Sequence, residues 1–108
     1  MKVTNNEETN QFKDGDVIKH KFKKPNCCIA ILKGEFINGE FSDYIAIDMI
    51  GELVKSNDKW KSDPSDWRLA TEQEKQLLYS KMKKEGFKWN EEEKRVENMR
   101  SRVNLGEQ

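Results

Sequence analysis

The dipeptide Asn38-Gly39 sits between two apolar runs in "CCIAILKGEFINGEFSDYIAIDMI", residues 27–50. A two-residue hairpin turn of the favoured kind needs positive φ at both central positions, and Asn-Gly accepts this best. Placing the turn there sets a register, because a one-residue slip sends every side chain to the other face. Phe36 then faces Phe41, Leu32 faces Ile45, Ala30 faces Ile47 and Cys28 faces Met49, all on one face. The other face pairs Glu35 with Ser42, Lys33 with Tyr44, Ile31 with Ala46 and Ile29 with Asp48. One face is apolar and the other mixed, as in a hairpin packed on a core.

Upstream, Asp14-Gly15-Asp16 signals a turn. In the alternation after it, Ile18, His20 and Phe22 share one face, and Lys19, Lys21 and Lys23 the other. Residues 1–11 are polar and aperiodic and read as a disordered tail. Gly51 bends the chain, and the following Leu53-Val54 reads as a short strand. "KSNDKWKSDPSDW", residues 55–67, reads as loop, with Trp60 and Trp67 as lids on a small core.

The second well-specified unit is "LATEQEKQLLYSKMKKEGFKWNEEEKRV", residues 69–96. Thr71 and Glu74 form a capping box, and Leu77, Leu78 and Met82 an apolar stripe. Lys81, Lys83 and Lys84 complement the helix C-terminus, and Gly86 followed by Phe87 stops it. This predicts a helix over 72–85. Beyond it two readings stand. Phe87 and Trp89 alternate like a strand that "NEEEK" turns back onto "RVEN". Alternatively Asn90 caps a second helix, with Val96, Met99 and Val103 on one side. Residues 98–108 read as a tail, helical in the second case.

At 108 residues the chain reads as one domain over 12–97. Hydrophobic residues are 34% and charged residues 37%, so the core is small. Twenty basic and twenty acidic residues cancel, which argues against binding nucleic acid through bulk charge. No apolar run suits a membrane span and no secretory signal is evident, so a cytoplasmic setting without membrane partners is expected. Adjacent Cys27 and Cys28 are poor disulfide partners. With His20 they are too few for zinc, and no cofactor is implied.

No catalytic motif is present, and the reading is that the chain is not an enzyme. His20 is expected as a packing residue, and Asp43 and Asp48 lie on opposite faces of their strand. Two features suit binding. Tyr44, Trp60 and Trp67 near loops suit a protein partner, since aromatics anchor interfaces. Lys19, Lys21, Lys23 and Lys24 around Phe22 suit nucleic acid or a nucleotide. The same lysines also fit an edge strand guarded against aggregation. Residues 35–58 carry six acidic residues and one lysine, so the charge is polarised.

The motif "FKDGDVI" with the ending at 69–96 resembles a group of small proteins of gut Bacteroidetes and their phages. Its members pair a "KDGDV" strand start with an ending of the form ATxEQxxLLxxKMKxxGYxWxxExKxL. The matches are Lys13, Asp14, Gly15, Asp16 and Val17 at the front. At the back they are Ala70, Thr71, Glu74, Leu77, Leu78, Lys81, Met82, Lys83, Gly86, Phe87, Trp89, Glu92, Lys94 and Val96. Phe87 stands where the group often has tyrosine, and the tail after Val96 is longer. The group has no settled activity, so no functional residue carries over. The resemblance implies the hairpin reading of 87–97 and a phage or mobile-element setting, where a counter-defence role for a nucleotide binder would fit.

The expected fold is α+β: a small, bent antiparallel sheet of SH3-like barrel type, then one helix, then a strand or hairpin added to the sheet. Its core should hold Ile18, Ala30, Leu32, Ile45, Ile47, Leu78, Met82 and Trp89.

Overall fold

The structure, a computed structural model, describes residues 12–55 and 59–99. The expectations for 1–11 and for most of 98–108 lie outside them. Strands β1 (Val17–His20), β2 (Ile29–Ile37), β3 (Glu40–Ile47), β4 (Leu53–Val54), β5 (Trp60–Lys61) and β6 (Trp67–Leu69) form one antiparallel sheet in the order β4-β3-β2-β1-β6. β5 also pairs with β3. The one helix that lies wholly among the described residues, α1 (Glu72–Lys84), follows, and then a hairpin of β7 (Phe87–Asn90) and β8 (Arg95–Asn98). The fold is α+β, and among the described residues the sheet does not close into a barrel. No described helix is long and apolar enough to cross a membrane.

The turn at Asn38-Gly39 forms as expected, with φ +53° and +74°, and Ile37 pairs with Glu40. The register inferred from it does not persist. Lys33 pairs with Ser42 and Leu32 with Asp43, and then Ile31 with Ile45, Ala30 with Ala46 and Ile29 with Ile47. Extra residues beside Gly34 on β2 and at Tyr44 on β3 cause the two slips. Gly34, at φ +76°, adopts a conformation that costs glycine little. The division into an apolar and a mixed face fails with the register. Ile29, Ile31 and Ala46 are as buried as Ala30, Leu32, Ile45 and Ile47, because the middle of the sheet is covered on both faces.

β1 is an interior strand, paired with β2 on one side and with β6 on the other. The guarded-edge reading of the lysine run therefore falls. The segment expected to be loop supplies β5, a 3₁₀ turn over Pro64–Asp66, and β6. An aromatic chain holds this layer together. Phe12, Phe36 and Phe41 follow one another at centroid separations of 5.7 and 4.7 Å. Phe41 then meets Trp60 at 5.5 Å and Trp67 at 5.0 Å.

α1 starts at the expected capping box: Thr71 Oγ1 accepts from Glu74 N–H, and the Glu74 carboxylate accepts from Thr71 N–H. That carboxylate also takes both terminal nitrogens of Arg68 on β6 at 2.8 Å, tying the helix start to the sheet. The pairing holds Glu74 down at a pKa of about 2. Leu78 and Met82 are buried. Gly86 follows the helix, its N–H bonded to Lys83 O.

Residues 87–98 form a hairpin, so no helix starts at Asn90. The hairpin forms its own two-stranded sheet and does not extend the main one. The side chain of Asn90, read as a possible helix cap, accepts from Glu93 N–H and closes the hairpin turn instead. Trp89 is half-buried and packs on Tyr44 at 5.0 Å, so it is a contact between the two sheets and not a core residue.

Candidate functional site

The outer side of β3 is paired in two separate places. Glu40 and Phe41 pair with β5, and Ala46 and Ile47 pair with β4. Residues 42–45 between them have no ladder partner on that side among the described residues. A cleft of about 460 Å³ opens beside this gap, lined by Asp43, Asp48, Met49, Ile50, Val54, Lys59 and Trp60.

Asp43 is the chemical centre of the cleft, and the residue is 5% exposed. Oδ2 accepts from the Trp60 indole N–H, while Oδ1 has no hydrogen-bond partner among the described residues. Buried carboxylates normally have partners for both oxygens. Burial pushes the Asp43 pKa up to about 6, and the Trp60 hydrogen bond and Lys33 restrain the rise. At neutral pH the group is therefore mostly charged and half satisfied.

The surrounding residues are fixed by local chemistry. Asp48 Oδ1 accepts from the backbone N–H groups of Ile50 and Glu52, which holds the loop out from the sheet. That loop presents Met49 at 63% and Ile50 at 79% exposure on the rim. Trp60 lies flat on Phe41, 13° from parallel, and edge-on to Trp67 at 5.6 Å. Asp43 and Asp48, expected apart on opposite faces of a strand, line one cleft because Asp48 has left β3.

Of the residues expected to bind a partner, only Trp60 stands at the cleft. Trp67 is wholly buried, its indole N–H donating to Ser62 Oγ at 2.8 Å. Tyr44 Oη donates to Asp14 Oδ1 at 2.9 Å and joins the strand to the first turn. Lys19 is 1% exposed, contrary to its expected place on a wet face. Its Nζ donates to the carbonyls of His20 and Lys23, at 2.9 and 3.2 Å, which clips the turn that follows.

β1 ends at His20, so residues 21–26 form turns, and the expected alternation past His20 stops there. Phe22, at 74% exposure, stands in that turn among exposed Lys21, Lys23 and Lys24. Lys21 is itself tied to the 3₁₀ turn, through Nζ to Ser65 O at 2.7 Å. His20 packs edge-on to Trp67 at 5.1 Å, as a packing histidine should, and burial lowers its pKa. Cys27 and Cys28 are buried free thiols, and burial pushes Cys28 up to about 11.

Asp43 is weighed from the sequence only as half of an acid pair with Asp48 and is set aside, although the sequence holds a further signal for it. It shares period-two spacing with Phe41, Ile45 and Ile47, an acid in line with apolar positions. A charge on a core face needs a partner or a purpose.

Compared with protein-family models, with curated proteins and with solved structures, the chain matches none.

Proposed function

We propose that this protein is a non-enzymatic binding module that docks a segment of a protein partner in the cleft beside Trp60. The observation that carries the reading is the pairing of two large exposed apolar side chains, Met49 and Ile50, with a tryptophan-walled cleft. Contiguous exposed apolar surface is kept where something covers it, and tryptophan is enriched where interfaces concentrate their energy. His20, packed on Trp67, and Cys28, its thiol raised by burial, offer neither base nor nucleophile, which favours binding over catalysis. We read the bent sheet as SH3-like in type. From the resemblance to phage and Bacteroidetes proteins, we place the module in the cytoplasm of a bacterial host, on a phage or mobile element.

The test is selection from a displayed peptide library. Selected peptides should bind the wild type and bind Met49→Ser/Ile50→Glu at least tenfold more weakly. Both sites are exposed, so the variant should keep its melting temperature. Peptides that bind both proteins equally would remove the reading.

A second reading has its own observation. Exposed Phe22, flanked in sequence by exposed Lys21, Lys23 and Lys24, offers a base a face to stack on with cations nearby for phosphates. It predicts salt-steep binding of single-stranded oligonucleotides or nucleotides, weakened by Phe22→Ala. The protein-docking reading expects flat anisotropy curves at low salt.

A further inference from the structure

We infer that the cleft receives a lysine side chain of the partner, its ammonium on the unpartnered oxygen of Asp43 and its stem along Trp60 and Val54. This rests on the reading of the cleft as a docking site and names the group that enters it.

Three observations converge. The first is the orphaned acceptor. Asp43 is nine-tenths buried, lines the cleft, and leaves Oδ1 without a donor among the described residues. A ligand that brings a donor there satisfies a group the fold leaves unsatisfied. The second is the sign of the charge. Asp43 and Asp48 both line the cleft with Lys59, and Lys33 acts on Asp43 from outside the lining. The cleft also falls mostly within residues 35–58, which carry six acids and one lysine. A cation is drawn to this face and an anion repelled.

The third is the geometry of the carboxylate. A guanidinium engages a carboxylate best through two parallel bonds, one to each oxygen. Here the Trp60 indole already holds Oδ2. One free oxygen suits a compact ammonium, whose four-carbon stem can bury against apolar walls. Met49, Ile50, Val54 and Trp60 supply those walls. Oδ1 has almost no contact with water, so entry requires a rim side chain to move. Lys59 is exposed and can swing aside without disturbing the sheet.

Nα-acetyl-lysine N-methylamide and its norleucine and arginine counterparts test this, titrated into the full chain at pH 7.5 and low salt. The readouts are the Trp60 indole N–H and the Asp43 carboxyl carbon by NMR. The lysine compound should move both signals saturably, at least tenfold more tightly than norleucine. It should also bind more tightly than arginine. In Asp43→Asn the advantage over norleucine should vanish while the indole signal stays dispersed. If that variant does not fold, the wild-type comparison and the Asp43 carbon still decide.

Equal binding of lysine and norleucine overturns the inference and leaves apolar docking standing. Arginine binding as well as lysine overturns the choice of ammonium. No movement with any of the compounds overturns the inference, and the displayed-peptide selection then judges docking separately.

Discussion

Trp67→Ala should destabilise the protein by about 3–5 kcal/mol. Trp67 starts β6, pairs with His20 across the sheet and has no solvent exposure. Its ring is the hub on which His20, Phe41 and Trp60 all close at 5.1, 5.0 and 5.6 Å. Removing it leaves a cavity that three other rings border, and strands the Ser62 hydroxyl. A small domain holds only about 5–15 kcal/mol in total. With 34% hydrophobic residues this one sits toward the low end, so much of the variant should be unfolded at room temperature. Urea unfolding followed by circular dichroism measures the loss. Trp67→Phe should cost clearly less, because it keeps most of the ring contacts. A loss under about 1 kcal/mol for the alanine variant would mean that Trp67 is not the hub.

The second large effect is a pH-dependent difference between wild type and Asp43→Asn. The Asp43 pKa is raised from 3.8 to about 6 in the fold, because burial disfavours its charged form. Between those values the unfolded chain releases a proton that the folded chain retains. Stability contributed by this group is therefore present below the unfolded pKa and is lost as pH rises through the folded one. The loss amounts to about 3 kcal/mol by pH 7.5. Asparagine escapes it. Asp43→Asn should gain on wild type by roughly that amount between pH 3.5 and 7.5. Glu74 works in the opposite sense. Its pKa is lowered to about 2, so its contribution is full above 4.5 and fades as pH falls. Glu74 is present in both proteins and cancels in the difference. Paired urea melts at the two pH values measure it, and a constant difference would contradict the burial of an unsatisfied acid.

The parts legible in the sequence are those where local chemistry decides the outcome. The Asn38-Gly39 turn, the Thr71–Glu74 capping box and the stop at Gly86 each depend on residues within a few positions of one another, and all three form. The illegible parts depend on distant partners. β5 and β6 are two and three residues long, in a polar stretch with Pro64, and exist because β3 and β1 pair with them. Lys19 reads as a surface lysine, yet it is buried with its Nζ on the carbonyls of His20 and Lys23, in a turn that the alternation does not predict. The extra residues beside Gly34 and at Tyr44 shift the β2–β3 register without any period-two signal.

The candidate site was half legible for the same reason. Trp60 stood out by residue type. The cleft beside it comes from the gap between β4 and β5 along β3, which no local pattern encodes. Asp43 carried a signal in its spacing, but only the hydrogen bond from Trp60 and the empty Oδ1 give that signal its meaning.

One carboxylate, buried and short of a donor, is the centre of the docking cleft. The most direct test of this is the titration of the Asp43 side-chain carboxyl carbon by NMR in the wild-type protein. A midpoint near 6 is the predicted result. A midpoint at or below about 4, the range of an ordinary aspartate, would contradict it.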